Sequence, residues 1–315
     1  MRANVNVSRP APIAEMCCHQ SLPILSVLIV TYKSCDEIRA CLRSIPCTLL
    51  GETVEIIVLD NGSGDGMGKI VREEFPAVSY IESPVNLGFG KANNIAYERA
   101  CGEFVLFLNP DTVASEKVLS HCLQRLKSDP ETGIISPKLV MLDGEMDLAC
   151  RRSIPTVWDG FCRALGLSAK FSKCRFFGGY NMSYLPEDGT YEVGSVNGAF
   201  MMCPKRVLLR VGSFDEQFFM YGDDLDLCFR FSQAGYRVVY DGQVEMIHIK
   251  GASSSKDPEK MAKAVFSATK QFYLKHFNPH RSRWVNFKYS LLFAAWEKLA
   301  SLKARIKGHR GARPL

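Results

Sequence analysis

The feature that most constrains the fold is a series of short apolar runs, each ending on polar residues. Residues 25–31 form a near-continuous apolar run, which is typical of a strand buried on both faces. Similar runs predict three further strands, at 54–59, 78–81 and 104–108. Helical segments separate or follow these strands, at 36–45, 88–100 and 115–129. This alternation predicts an α/β fold with a mostly parallel central sheet, right-handed crossovers and flanking helices.

The regular alternation stops after residue 137. Residues 138–151 are expected to form a hairpin that turns at Asp143-Gly144. Residues 152–190 show no clear period and are expected to be a long loop, which is either functional or mobile. The remaining segments predict an extended stretch, one helix and two short strands, at 193–203, 221–234, 236–240 and 244–249.

Polar side chains follow the predicted strands, at the ends where parallel strands meet one edge of the sheet. These residues are Thr31, Tyr32, Asp60, Asn61, Asp111 and His248. Ligands bind at this edge in open α/β sheets, so these side chains are expected to converge. Asp111 and His248 together suit one divalent ion, Mg²⁺ or Mn²⁺, completed by diphosphate oxygens. Alternatively, His248 is a structural histidine and Asp60-Asn61 is an ordinary turn.

Two further segments carry candidate chemistry. Gly88 precedes a helix, where its backbone can approach a phosphate or base closely, although the segment is neither a Walker loop nor a dinucleotide fingerprint. Asp223 and Asp224 open a later helix, a position that capping alone explains. Asp223, Asp226 and Arg230 are expected to pair along one side of that helix, which leaves Asp224 free to act as a general base.

Six short motifs carry a family resemblance. They are SVLIVTY at 26–32, VLDNGS at 58–63, NLGF at 86–89, LNPDT at 108–112, VNGAF at 196–200 and FFMYGDDLDLCFR at 218–230. Each motif is weak alone, but the complete set in this order is specific. Across residues 24–254 the chain resembles the family 2 glycosyltransferases, which have the Rossmann-like GT-A fold, and particularly their rhamnosyltransferase-like branch.

The resemblance implies a nucleotide-sugar donor, a divalent metal and inversion at the anomeric carbon. By motif position, Thr31 and Asp60 would contact the nucleotide base and ribose, with Asn93 nearby. Asn109 stands where the family has the first carboxylate of its Asp-X-Asp motif, so metal binding would rest on Asp111, His248 and the diphosphate. The expected donor is dTDP-rhamnose, and the expected acceptor is a glycan or a polyprenyl-linked sugar in cell-surface polysaccharide synthesis.

The resemblance also implies the acceptor side of the site. Asp224 matches the catalytic base, although the family's usual Glu-Asp pair is Asp-Asp here. Asn197 and Gly198 would line the floor beside the donor and acceptor sugars.

The chain is expected to have three parts. Residues 1–22 are predicted to be a disordered lead, and residues 23–255 a catalytic domain with a donor half (23–137) and an acceptor half (138–255). Residues 256–315 are predicted to be a basic helical tail. In that tail apolar residues recur every three or four positions, at Trp284, Phe287, Leu291, Ala295, Leu299, Leu302 and Ile306. Such a helix can lie on an anionic membrane, or it can pack on the catalytic domain or on a second subunit of a homo-oligomer.

Composition limits the possible cellular location, partners and function classes of the protein. The 12 cysteines are scattered and no apolar run reaches the ~20 residues of a spanning helix, which predicts a cytoplasmic protein, peripheral on the inner face of the membrane. The net charge of +6 is concentrated in the tail, but no nucleic-acid module accompanies it, so no nucleic-acid partner is expected. A decayed nucleotide-sugar-binding scaffold or sensor remains an alternative, as does a nucleotidyltransferase. The retained Asp111, Asp224 and His248 favour the enzyme, and residues 31–34 lack a nucleotidyltransferase signature loop.

Overall fold

The computed structural model describes residues 22–249 and 258–277. The strands in chain order are β1 Leu25–Thr31, β2 Thr48–Leu49, β3 Glu52–Asp60, β4 Ser79–Glu82, β5 Phe104–Leu108, β6 Thr112–Val113, β7 Thr132–Val140, β8 Arg151–Arg152, β9 Thr190–Glu192, β10 Ser195–Val196, β11 Phe200–Pro204 and β12 Arg237–His248. The helices are α1 Ile38–Ser44, α2 Met67–Glu74, α3 Phe89–Tyr97, α4 Glu116–Ser128, α5 Val157–Leu165, α6 Leu167–Lys170, α7 Arg175–Gly178, α8 Lys205–Val211, α9 Asp223–Gln233 and α10 Pro258–His276.

Ten of the strands form one central sheet. Its order is β2-β3-β1-β5-β11-β7-β12-β6, with β4 beside β3 and β9 beside β12. The two longest pairings, β1 with β3 and β7 with β12, are parallel, as is that of β1 with β5, whereas β11 runs antiparallel between β5 and β7. Helices α3, α4 and α9 pack on the strands. The structure therefore confirms the predicted α/β fold with a mostly parallel sheet and flanking helices.

The first half of the chain follows the sequence closely, because its strands are continuous apolar runs. The bounds of β1 and β5 are those expected, and every residue of β5 is buried. The predicted cap of α4 is also correct, since the Ser115 hydroxyl accepts a hydrogen bond from the Val118 N–H.

The second half differs from the expectations in three places. Residues 152–190 are not a plain loop but contain α5, α6 and α7. The two strands expected at 236–240 and 244–249 are one strand, β12, with a register shift between Asp241 and Glu245. The hairpin expected at 138–151 is reduced to one bridge, between Val140 and Met146. The residues after this bridge lead instead into β8, which pairs with β10.

Helix α10 lies in the range predicted as the tail and packs on the body. Phe272 is fully buried in a cluster with Phe218 and Leu225. The Lys275 ammonium lies 2.6 Å from carboxylate oxygens of both Asp215 and Asp226.

The apolar positions 284–306 on which the membrane prediction rests lie outside the described residues, as do residues 1–21. In the described part of the chain, no helix combines the length and apolarity needed to cross a bilayer. The ten cysteines of that part are all free.

Candidate active site

The proposed metal ligands Asp111 and His248 lie side by side at one edge of the sheet. The Ile249 N–H donates to the Asp111 carbonyl at 2.7 Å, and His248 pairs with Thr112 across the antiparallel β6–β12 contact. His248 Nε2 lies 3.5 Å from Asp111 Oδ1, and the histidine side chain is almost fully buried. The structure thus brings together two residues that are far apart in sequence.

Asp147 lies on the other side of His248 and was not predicted from the sequence. Its Oδ2 lies 3.4 Å from His248 Nδ1. The imidazole therefore lies between two carboxylates, with Nδ1 toward Asp147 and Nε2 toward Asp111. Burial lowers the pKa of His248, but the contacts with Asp111 and Asp147 outweigh burial and raise that pKa to about 9. No sequence signal marked Asp147, because it lies in the irregular segment after β7.

These residues fit a divalent cation that is completed by substrate. Asp111 Oδ1 is buried and has no hydrogen-bond partner, although a buried carboxylate oxygen normally has one. Oxygen and imidazole nitrogen are ligands that Mg²⁺ and Mn²⁺ accept. Among residues 22–249 and 258–277, no group of three His, Cys, Asp or Glu side chains could hold an ion alone. The remaining ligands would therefore have to come from diphosphate oxygens and water.

Asp224 lies in the first turn of α9 and is held from two sides. Its Oδ2 lies 2.6 Å from Arg152 Nη2 and accepts a hydrogen bond from the Gly198 N–H at 3.2 Å. Both charged side chains are only 13% exposed. The prediction that Asp224 is left free is therefore wrong. Arg152 escaped notice because it precedes a segment without periodicity, and long-range ion pairs leave no local pattern.

The other carboxylates of α9 have structural partners. The predicted pair of Asp226 with Arg230 is confirmed at 2.8 Å, and the fully buried Asp226 also contacts Lys275. Asp223 does not join this pair as expected, since its Oδ1 accepts from the Asp224 N–H at 3.0 Å. Burial, followed by the nearby charge of Asp224, raises the pKa of Asp223.

Asp60 and Asn61, at the end of β3, organise neighbouring turns. The Asp60 carboxylate accepts from the Ser63 N–H at 2.9 Å and from the Tyr80 hydroxyl at 3.1 Å. Asn61 Oδ1 accepts from the Leu87 N–H at 2.8 Å, and its amide donates to the Gly88 carbonyl at 3.1 Å. Both side chains are almost fully buried. The interpretation of Asp60-Asn61 as a turn is thus compatible with their interpretation as candidate site residues, because they hold the loop at residues 86–88 in place.

The other predicted donor-binding side chains differ in their exposure. The Thr31 hydroxyl is buried against the Met67 sulfur, at 3.0 Å, whereas the adjacent Tyr32 is 39% exposed. The Asn93 amide donates to the Phe89 carbonyl at 3.1 Å within α3. Thr31 and Asn93 are therefore buried and held by internal contacts, whereas Tyr32 is available for contact.

Gly88 is required by a close backbone approach. Its φ is +84°, and a Cβ at this position would lie 2.4 Å from the Phe219 carbonyl oxygen. The Phe89 N–H donates to the same oxygen at 3.0 Å. The loop that Asn61 holds is thereby fastened to the segment that leads into α9 and Asp224.

Residues 197–199 connect the two charged clusters. The Asn197 amide donates to Asp147 Oδ2 at 3.1 Å, and the next residue, Gly198, donates its N–H to Asp224. The Asn109 N–H donates to the Ala199 carbonyl at 3.1 Å. A continuous series of contacts therefore runs from Asp111 and His248 through Asp147 and residues 197–198 to Asp224.

The fold and this arrangement of strand-end residues define a GT-A glycosyltransferase. Residues 26–184, about half of the chain, match glycosyl transferase family 2, and the chain belongs to this family.

Curated relatives and solved structures agree with that membership. The chain is 26% identical over 272 residues to N-acetylglucosaminyl-diphospho-decaprenol L-rhamnosyltransferase of Mycobacterium tuberculosis (83% of this chain, 86% of the relative). It is 28% identical over 234 residues to rhamnosyltransferase WbbL of Escherichia coli (70% and 82%). Its fold is similar to that of mannosyltransferase PcManGT from Pyrobaculum calidifontis, solved with GDP-Man and Mn²⁺ (TM-score 0.56, 18% identity, 94% and 77% coverage). It is also similar to that of S. aureus TarS (TM-score 0.52, 16% identity, 91% and 73% coverage).

Proposed function

We propose that this glycosyltransferase moves a sugar, with inversion, from a nucleotide-sugar donor to a hydroxyl group of a glycan or lipid-linked acceptor. The observation that carries the proposal is the continuous series of contacts between the Asp111–His248 pair and Asp224. This series of contacts links a candidate cation site at Asp111 and His248 to a carboxylate, Asp224, that could accept a proton. Rhamnose, donated as dTDP-rhamnose, is the favoured sugar because two relatives are named rhamnosyltransferases.

Asp224 is the proposed general base. Its carboxylate takes the proton from the acceptor hydroxyl while that oxygen attacks the anomeric carbon, and the bond from this carbon to the diphosphate oxygen breaks. A single displacement of this kind inverts the anomeric centre and needs no protein nucleophile. The Arg152 guanidinium and the Gly198 N–H both contact Asp224 Oδ2 and hold the carboxylate in place.

Asp111 Oδ1 and His248 Nε2 are the proposed protein ligands of Mg²⁺ or Mn²⁺. When bound, such a cation would offset the negative charge that develops on the departing nucleoside diphosphate. Asp147 orients the imidazole for this purpose from the Nδ1 side. Two protein ligands would suffice because diphosphate oxygens of the donor would supply further ligands.

The remaining predicted site residues divide between the two substrates. Thr31, Tyr32, Asp60, Asn61, Gly88, Asn93 and Asn109 are the proposed walls of the donor pocket. Asn197 and Gly198 are the proposed floor between donor and acceptor, since they lie between Asp147 and Asp224.

The acceptor and the cellular site are proposed from the relatives. The name of the mycobacterial relative includes a decaprenol-linked substrate, which supports a polyprenyl-linked acceptor and work at the inner face of the cell membrane. The membrane-binding tail, the homo-oligomer and the domain boundaries at residues 22, 137 and 255 stay predictions.

The decisive experiment is a screen of purified protein against a panel of nucleotide sugars with Mg²⁺, Mn²⁺ or a chelator. Release of nucleoside diphosphate that depends on one sugar and on the metal supports the proposal. Analysis of the anomeric configuration of the product by NMR tests inversion. Tight nucleotide-sugar binding without turnover on any acceptor would instead favour the decayed scaffold or sensor.

A further inference from the structure

The segment 157–178, which carries α5, α6 and α7, exposes an unusual number of large apolar side chains. Their exposed fractions lie between 39% and 62%, and the residues are Trp158, Phe161, Leu165, Phe171 and Phe176. We call these residues and their segment the aromatic platform. In the described part of the chain, none of the five belongs to the hydrophobic core clusters. A contiguous exposed apolar patch normally marks an interaction site.

The aromatic platform is preorganised by contacts among its own residues. The Trp158 ring lies 5.5 Å from that of Phe161 and 4.7 Å from that of Phe176, measured between centroids. The Trp158 Nε1–H donates to the Phe176 carbonyl at 2.8 Å, so α5 is tied to α7. A capping box formed by Thr156 and Asp159 starts α5.

Four basic side chains lie in the same segment as the aromatic residues. Arg163, Lys170, Lys173 and Arg175 are all exposed. No ion pair among residues 22–249 and 258–277 uses any of them. The acid within the segment, Asp159, has its carboxylate engaged by the capping box. The aromatic platform therefore combines exposed apolar side chains with an excess of positive charge.

The base of the aromatic platform lies beside the proposed catalytic residue. The Ser153 N–H donates to the Tyr180 carbonyl at 2.8 Å, which closes the segment at its neck. The residue just before this neck, Arg152, is the one that contacts Asp224.

We propose that the aromatic platform docks on an anionic lipid bilayer. Trp and Phe side chains lie favourably at the membrane interface, and Lys and Arg beside them meet lipid phosphates. This combination, with four basic side chains against the single acid Asp159 in the segment, favours an anionic membrane over a protein partner. Docking there would present Asp224 to the sugar end of a lipid-linked acceptor. That orientation rests on the proposed function, whereas the lipid binding itself does not.

The first test measures flotation of the full-length protein with phosphatidylcholine vesicles, with and without phosphatidylglycerol. Lys170→Gln/Lys173→Gln should weaken binding to the anionic vesicles about 30-fold, because two charges near the surface are lost. Lys69→Gln/Lys117→Gln is the matched control, since it removes the same charge from exposed positions on α2 and α4. Equal weakening in both variants, or in neither, overturns the proposal.

The second test measures insertion of the aromatic side chains. In a full-length Trp284→Phe/Trp296→Phe variant, Trp158 is the remaining tryptophan of the three in the chain. Its fluorescence should be quenched by brominated acyl chains in anionic vesicles. Phe176→Ser should reduce vesicle binding, whereas Leu209→Ser, at a 72% exposed apolar position on α8, should not. Vesicle binding without quenching of Trp158 means that another surface binds lipid, and the proposal fails.

Two other occupants would give distinct results. If a second copy covers the aromatic platform, Phe176→Ser halves the solution mass and the protein does not float with vesicles. If the chain beyond residue 277 covers it, vesicle binding persists when the platform is altered. Both results overturn the proposal. Both vesicle assays are run without donor or acceptor, so their results do not depend on sugar transfer. If the protein binds vesicles as expected but transfers no sugar in the separate activity screen, the proposed function fails and the lipid-binding proposal stands.

Discussion

Replacing Asp224 by asparagine tests the proposed base directly. The substitution keeps the size of the side chain, and the new amide oxygen can still accept from Arg152 and from the Gly198 N–H. The amide NH2 then replaces Oδ1, so the hydrogen bond from the Leu225 N–H is lost. The asparagine side chain cannot take up a proton from the acceptor. Loss of general-base catalysis costs about 10²–10⁴-fold in rate, which corresponds to about 3–5 kcal/mol of activation free energy. Donor affinity should stay unchanged, since the proposed cation and nucleotide contacts lie elsewhere.

The same substitution has a stability cost that can be separated from the catalytic effect. Asp224 and Arg152 are each 13% exposed, so asparagine leaves a largely buried guanidinium without its counter-charge. Breaking a buried pair costs about 3–5 kcal/mol, and the retained amide contact should keep the loss toward the lower end. The double variant Arg152→Met/Asp224→Asn also removes the cation. It should recover much of the unfolding free energy but none of the turnover.

The assay is single-turnover sugar transfer, with nucleotide affinity and thermal melting measured on the same samples. The matched control is Asp226→Asn, which makes the same chemical change two residues further along α9. Asp226 is fully buried and contacts Arg230 and Lys275, so its loss should lower the melting temperature while folded molecules keep their turnover. Near-native turnover by folded Asp224→Asn would refute the assignment of the base.

Three further predictions concern the metal, the donor loop and acid stability. Asp111→Ala and His248→Ala should each weaken metal-dependent donor binding, as seen by titration calorimetry, and a chelator should abolish transfer until Mg²⁺ or Mn²⁺ is restored. Gly88→Ala should lower the free energy of unfolding by more than the ~1–3 kcal/mol of backbone strain, because its Cβ also meets the Phe219 carbonyl, and chemical denaturation measures this. Burial raises the pKa of Asp241 and the hydrogen bond from His121 lowers it, with a net lowering. Its stabilisation should therefore be complete above about pH 4 and disappear as pH falls through the folded-state pKa, so that the melting temperatures of wild type and Asp241→Asn converge in acid.

Each of these predictions has a defined control or contrary result. Full activity in excess chelator would leave His248 structural and remove the metal from the mechanism. Gly51→Ala is the control for Gly88, because Gly51 has a similar φ of +82° but no neighbouring atom within 4 Å of the added Cβ. Equal losses at the two glycines would mean that the contact with Phe219 is unimportant. A melting-temperature difference at Asp241 that is constant from pH 7 to pH 3 would contradict the linkage argument.

The sequence predicted best what depends on local pattern. Strand β5 and the turn that carries Asp111 are visible because a fully apolar run stops at Asn109-Pro110. The partners of Asp224 and His248 could not be predicted, because their contacts are long-range and leave no local sequence pattern. Arg152 and Asp147 come from the irregular second half, and each reaches its partner across many residues of chain.

The helices α5–α7 were missed for a related cause. Helices α6 and α7 have only four residues each, which is too short to show a helical period. Helix α5 is amphipathic, but it packs on α6 and α7 rather than on the sheet. The capping box at Thr156 and Asp159 was the signal that could have revealed the first of them.

The hydrogen bond between the Ser153 N–H and the Tyr180 carbonyl has a consequence for how the segment between them can change. The segment between these residues begins and ends at one hydrogen bond, while Arg152 and Asp224 remain on the sheet side of it. Insertions, deletions or wholesale exchange within 154–179 would therefore leave the geometry of the charged pair intact. The chain can therefore change within this segment without a change at the proposed catalytic pair. Chimaeras joined at these two residues are accordingly expected to keep the contact between Arg152 and Asp224.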